Sequence, residues 1–355
     1  MTTTTPTLTP VRLTAGRLPS WTTGIVLTLA LLASATLFFT TGSPGLVRIL
    51  LVGALIFTAV MVVASLAVEG SRKAKDRLAT ITVTSAFGLA LLPLVSLVIS
   101  VIQKGSTRFD PQFFTYSMRS VVGEGGGAVH AITGTLWVTG IATLISVPIG
   151  ILAAIYLVEY GTGTLARSIT FFVEVMTGIP SIVAGLFAAA LFTLLFGPGT
   201  RTGFVAAVAL SVLMIPVVVR STEEMLKIVP NELREAAYAL GVRKWRTITK
   251  VVIPTAISGI ASGVTLSIAS VIGETAPILV TAGFASSINW NVFSGWMSTL
   301  PTFIYYQILT PTSPTSPDPS TQRAWAAALL LILMVMLLNL VARFVAQIFA
   351  PKTSR

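Results

Sequence analysis

Glu235-Ala236-Ala237, then Gly241, then Val251-Val252-Ile253-Pro254 stand inside a polar run from Arg220 to Ile253 that separates two long apolar segments. The run carries Arg220, Lys227, Arg234, Arg243, Lys244, Arg246 and Lys250 against Glu223, Glu224, Glu232 and Glu235. Each such charge costs roughly 2.5 to 3.5 kcal/mol at the centre of a bilayer, so the run belongs in water at a membrane face. Leu226, Val229, Leu233, Ala236 or Ala237, and Leu240 recur every three or four residues, which predicts a narrow apolar stripe on two short helices set at an angle. Pro230 lacks an amide donor and clashes with a preceding turn, so a new helix is expected to start at about Asn231. Gly241 is expected to stop it, with basic residues following at the negative end of the helix dipole. The small Ala236 and Ala237 leave one side nearly bare, as a docking surface for another protein requires.

Of the 355 residues 54% are hydrophobic and 10% charged, and the mean hydropathy is +0.89. A soluble domain carries about a quarter charged residues, so the composition is that of an integral membrane protein. With no cysteine, disulfides and thiolate metal sites are excluded, and the single histidine, His130, excludes a histidine-based metal cluster. No metal or other cofactor is expected. The Thr- and Pro-rich stretch 1–20 reads as a mobile cytoplasmic tail, and the apolar segment after it lacks a convincing cleavage site.

Eight apolar stretches are long enough to span, at about 22–41, 47–68, 80–102, 131–158, 172–196, 203–219, 254–281 and 324–349. All are predicted helices, because a helix satisfies its own backbone in lipid, and the fold class is an all-α polytopic membrane protein. Placing the amino terminus inside puts 17 basic residues, including Arg72, Lys73, Lys75, Arg77 and Arg167, on the cytoplasmic side. It leaves six outside or at the outer interface: Arg48, Lys104, Arg108, Arg119, Arg201 and Arg323. That asymmetry orients both termini and the 220–253 run toward the cytoplasm. The net charge of +11 then reflects topology and anionic lipid, with no nucleic acid as partner.

Two outer segments are long, 103–130 and 282–322. In the second, Trp290, Phe293, Trp296, Met297, Leu300 and Phe303 are expected at the membrane interface and Pro311 to Pro317 as a disordered spacer. His130, where a helix enters from outside, reads as an interfacial cap.

The spacing Glu-Ala-Ala, three residues, Gly, nine residues, apolar triplet, Pro resembles the EAA signature of importer permeases in the ATP-binding-cassette class; the nine residues here are Val242 to Lys250. From about Thr80 onward the chain resembles the phosphate-transport permeases of the PstA type. The residues that carry this are Gly134-Thr135, Pro148-Ile149-Gly150, Ala153 to Leu157, Gly178 to Phe187, Ile215 to Glu223 and Gly273-Glu274-Thr275-Ala276-Pro277. The resemblance implies a bacterial inner-membrane protein with a six-span permease core over 80–350. It also implies a homologous permease subunit as partner, a cytoplasmic ATPase dimer docked on the EAA loop, and an extracytoplasmic phosphate-binding protein. The chain departs from that pattern by an extra two-helix hairpin and cytoplasmic loop over 21–79. No Gly-x-x-x-x-Gly-Lys-Ser/Thr loop occurs, so the chain is expected not to be an enzyme and ATP hydrolysis belongs to a partner.

The residues expected to couple to the ATPase are Arg234, Glu235, Ala236, Ala237 and Gly241. Those expected along the substrate pathway are Glu274, Thr275, Ser270, Arg220 and Ser181. Glu274 lies in an apolar span, where a carboxylate demands a partner or a pathway. Phosphate keeps a proton at neutral pH and sulfate does not, so a carboxylate accepting that proton's hydrogen bond selects between them. The plainer alternative pairs Glu274 with Arg, Ser or Thr of a neighbouring helix. Members of the family often carry a basic residue where this chain has Ser270, which leaves Ser267, Ser270 and Thr275 as donors and Arg220 as the basic candidate, or else as an inner anchor. Glu174, Gly178 and Pro180 mark a broken point that with Ser181 forms a hinge or lines the pathway, and Gly273 and Pro277 are also expected hinges, whereas a proline in a span is more often a plain kink than a gate, a reading that applies to Pro93, Pro148, Pro216 and Pro277. The rival readings are a permease of the same class for another oxyanion or small solute, and an ion-coupled secondary transporter.

Overall fold

The computed structural model describes residues 16–40, 42, 45–311 and 318–349, with side chains through 341 and at 343 and 344. Residues 1–15 of the tail expected over 1–20, residues 312–317 of the spacer expected over 311–317, and Lys352 and Arg355 lie outside the described residues.

The helices are α1 (Ser20–Thr40), α2 (Leu46–Val68), α3 (Ser71–Gly105), α4 (Pro111–Thr115), α5 (Val129–Ile155), α6 (Thr164–Thr177), α7 (Ser181–Phe196), α8 (Gly203–Ile228), α9 (Asn231–Ala239), α10 (Lys244–Thr247), α11 (Ile253–Ile272), α12 (Ala276–Thr281), α13 (Leu300–Leu309) and α14 (Asp318–Phe349). π-helical turns at Tyr156–Tyr160 and Ile248–Val252 follow α5 and precede α11. Among the described residues seven helical stretches are long and apolar enough to cross a membrane, and the bent pair α6–α7 makes an eighth.

The chain forms two compact units, Met1–Val98 and Ile99–Arg355, so α3 contributes to both and the division expected at residue 79 falls inside it. The cluster Arg72 to Arg77, expected in a loop, forms the first turns of α3 instead. In the first unit Phe57 and Met61 of α2 pack with Ala30 of α1. The turn between α2 and α3 is knotted by Glu69, whose side chain is 4% exposed. Arg77 donates to both of its carboxylate oxygens at 2.7 and 3.0 Å, the Leu18 N–H donates at 3.0 Å and Ser65 Oγ at 2.9 Å. The hydrogen bonds from Arg77 and then from Leu18 hold this carboxyl well below its ordinary value, at about 2.

The second unit is built around α8. Ala206, Ala207, Leu210, Met214 and Val218 are wholly buried in it and pack on Val138 and Ala142 of α5 and on Val271 and Ile278. Small residues let these helices approach, as expected where lipid supplies no hydrophobic contrast. A Cβ on Gly150 of α5 would meet Val218 at 2.6 Å, and one on Gly263 of α11 would meet Ser221 at 2.5 Å. Pro93, Pro148 and Pro216 are carried inside unbroken helices, as kinks would be.

Two expected spans are broken. The stretch 172–196 bends by 109° between α6 and α7, because Pro180 has no N–H to continue the ladder and sits extended at φ −57°, ψ 138°. The stretch 254–281 ends α11 at Ile272 and restarts at α12 after Gly273 to Thr275. The polar run is less separate than its charge suggested: Arg220 to Ile228 continue α8, and Lys244 to Ile272 form one continuous helical stretch.

The segment between α12 and α14 divides by burial. Met297, Leu300 and Phe303, expected at the interface, are core, whereas Trp290, Phe293 and Trp296 are more than half exposed. His130 is no interfacial cap. It is 2% exposed, its ring lies edge-on to Phe303 at 5.4 Å, and neither ring nitrogen has a hydrogen-bond partner among the described residues. Arg323, expected at the outer interface, is fully buried; it donates to the carbonyls of Gly123 and Gly125 at 2.9 Å and to Gln307 Oε1 at 3.1 Å, which ties the glycine-rich loop to α13 and α14.

Candidate functional site

The two breaks meet. A Cβ on Gly185 of α7 would stand 2.5 Å from Pro277 Cα and 2.9 Å from Val280 of α12. Ser181 lies one turn before Gly185, and Glu274-Thr275 lie just before Pro277, so each stands at the start of one of two contacting helices that both begin after a break. Glu274 is half-buried, and among the described residues its carboxylate makes no hydrogen bond or ion pair; only its backbone N–H is engaged, with Val271 O at 3.1 Å. No Arg, Ser or Thr among the described residues of this chain pairs with it.

Ser262, Leu266, Ser270 and Gly273 form an exposed stripe along α11 leading to Glu274. Beside it a cavity of about 750 Å³ opens between α11 and α14, lined by Ser262, Thr265, Leu266, Leu333, Asn339 and Arg343 among others. Ser270 Oγ donates to Ser267 O at 2.8 Å, and Ser267, wholly buried, donates to Gly263 O. Thr275 is half-buried with its hydroxyl uncommitted among the described residues.

Arg220 is engaged elsewhere. It donates to Glu174 Oε1 at 3.1 Å, across from α8 to α6, and lies 3.5 Å from Glu223, which also accepts from Lys227 at 2.6 Å. Gly178 and Pro180 are exposed at the α6–α7 corner.

The polar run folds as its local chemistry dictates: α9 begins at Asn231 after Pro230, and Gly241 takes a left-handed φ of +72° beyond the last turn. Ala237 is buried, whereas Glu235, Ala236 and Gly241 are exposed. The expected stripe splits, with Leu226 and Val229 in the core but Leu233 41% and Leu240 83% exposed. Around Gly241 a cavity of about 500 Å³ is lined by Leu240, Val242, Arg243, Trp245 and Arg246. The outward face is thus small, apolar and basic. Arg234 turns the other way. Its guanidinium meets Glu159 Oε1 at 2.8 and 3.0 Å and donates to Leu226 O at 3.0 Å and Val229 O at 2.7 Å. Nothing in the spacing of Glu159, 75 residues away, announced this pair.

The family described as "Binding-protein-dependent transport system inner membrane component" matches residues 146–355. The phosphate transport system permease protein PstA 1 of Mycobacterium tuberculosis (strain CDC 1551 / Oshkosh) is 48% identical over 78% of this chain and 90% of its own length. Phosphate transport system permease protein PstA of Yersinia pestis is 37% identical over 79% of this chain and 92% of its own. Among solved structures, a chain of the MetNI methionine ABC transporter in an inward-facing conformation aligns with a TM-score of 0.48 at 20% identity, over 63% of this chain and 95% of that one. On the family match and the relatives, this chain belongs to the binding-protein-dependent transport system inner membrane components, among the permeases of the PstA type.

Proposed function

We propose that the protein is the permease subunit of an ATP-driven importer of inorganic phosphate, forming the pathway together with a second, homologous permease chain. The relatives' names supply the solute, and the observation that carries the site is Glu274, an uncommitted carboxylate in the broken part of a membrane-spanning element. Such a group is expensive in lipid unless it faces a polar pathway or a partner chain. The exposed stripe Ser262 to Gly273 leads to it, so this face of α11 lies toward the second permease. Glu274 accepts a hydrogen bond from the proton that phosphate keeps, Thr275 and Ser181 donate, Ser270 joins them by turning its hydroxyl away from the Ser267 carbonyl, and the corners Gly178–Pro180 and Gly273–Pro277 bend as access alternates.

Both termini and α9 lie on the cytoplasmic side, by the basic-residue asymmetry. Glu235, Ala236 and Gly241, with Ala237 holding the helix to the body, present the surface on which a separate cytoplasmic ATPase docks, and a binding protein delivers phosphate from the opposite side. The α1–α2 hairpin serves as an additional membrane anchor of the chain.

Labelled phosphate and sulfate uptake by cells lacking the chain tests this. Loss of phosphate uptake, restored by wild type but not by Glu274→Gln at equal membrane levels, is expected. Unchanged phosphate uptake in the absence of both the chain and any second importer overturns the assignment. Ala236→Trp, a large side chain on the docking face, is expected to abolish co-purification of the ATPase; undiminished co-purification removes α9 as the docking helix.

A further inference from the structure

The end of α5 and the polar run grip one another at two points. Glu159, whose side chain is 4% exposed, lies in the π-helical turn Tyr156–Tyr160, and its one charged partner among the described residues is Arg234 of α9, itself 12% exposed. One residue on, the Tyr160 ring is covered by Lys244 of α10, with Nζ 4.6 Å from the ring centre. The same guanidinium accepts no slack from α8, since it also holds the Leu226 and Val229 carbonyls at the end of that helix. Three elements are therefore pinned by one cation. A π-helical turn is a wider, less regular coil that can be drawn back into an α-helix by a shift of register, and it occurs often at functional sites.

We infer that Glu159 and Arg234 are the positioning residues through which displacement of α9 is transmitted to α5, with the turn Tyr156–Tyr160 as the deformable part. This rests on the reading of α9 as the ATPase-docking helix. A docking contact would have to be reachable, and Glu159 is not. A mere surface pair would be worth little, whereas this one is desolvated and made by two donors, Nε and Nη2, converging on the single oxygen Oε1 of Glu159, so that the planar guanidinium holds α9 against the end of α5 as Lys would not. The adjoining pair Arg220–Glu174 is 40% and 59% exposed and has no such grip.

The test uses the complete transporter in proteoliposomes, with binding protein and phosphate inside the assay, and reads the phosphate moved per ATP hydrolysed. Glu159→Gln keeps the shape and removes the charge. It is expected to leave the ATPase bound and to lower this ratio roughly tenfold, within the usual span of coupling between sites. Arg234→Lys is expected to lower it as well, and the double variant no further than the worse single one, because the two act as a unit. A purely structural role would lower the yield of the complex and leave the ratio untouched, and that result overturns the inference, as do additive effects. Release of the ATPase by Arg234→Lys but not by Glu159→Gln makes Arg234 a docking contact; the joint then falls while the docking reading stands. If Ala236→Trp leaves the ATPase bound, the docking reading itself has failed, whatever the ratio shows.

Discussion

Gly185 and Pro277 are in backbone contact: a methyl group on the glycine would lie 2.5 Å from the proline Cα, closer than any real side chain approaches. Because the obstacle is backbone and not the end of a flexible side chain, α7 and α12 cannot both keep their places around a larger residue. Gly185→Val is expected to cost about 1–3 kcal/mol, the range for overpacking, and to lower the thermal unfolding midpoint in detergent. An unchanged midpoint would mean that α12 yields freely.

Glu274 gives a selectivity prediction. If its carboxylate accepts a hydrogen bond from the proton that phosphate carries, Glu274→Gln, which can donate as well as accept, admits sulfate more readily. The ratio of phosphate to sulfate uptake is expected to fall about tenfold, the worth of one charge-assisted hydrogen bond. A ratio equal to that of wild type sinks the selector role even if total uptake drops.

The knot at Glu69 predicts a pH dependence. Its folded value, about 2, lies below the unfolded one near 4.3, so its contribution is present above that unfolded value and is lost as pH falls toward 2. The protection factor of the Leu18 amide against hydrogen exchange, taken relative to the intrinsic rate at each pH, is expected to fall across this window, and Glu69→Gln to remove the dependence. Protection that persists at pH 2 would show that the carboxylate does not hold the segment.

His130 buries two ring nitrogens, beside Phe303, that have no hydrogen-bond partner among the described residues. Replacing such a group with an apolar one of similar size relieves an unsatisfied donor and acceptor, so His130→Leu is expected to raise stability by about 1 kcal/mol in thermal unfolding. Destabilisation of that size would reveal a polar partner for the ring.

What was legible in the sequence was local. Pro230 and Gly241 marked both ends of α9 because each acts through its own backbone, and Gly178 and Pro180 marked a break for the same reason. The angle of that break was not legible, since it depends on what α6 and α7 each pack against. Arg323 and Arg234 were read as surface charges, because charge and hydropathy alone cannot reveal partners such as Gly123, 200 residues from Arg323, or Glu159. Glu274 was legible as an oddity in an apolar span, while its lack of a partner required the folded chain.

The corner at Gly178–Pro180 leaves α7 to continue alone for 16 residues, which at 1.5 Å each is about 24 Å, shorter than the roughly 30 Å of hydrocarbon a bilayer presents. A helix that short leaves part of the hydrocarbon thickness to be met by α6, by neighbouring helices or by local thinning of the lipid, so the bent pair, and not α7 alone, has to be reckoned as the unit that meets the bilayer.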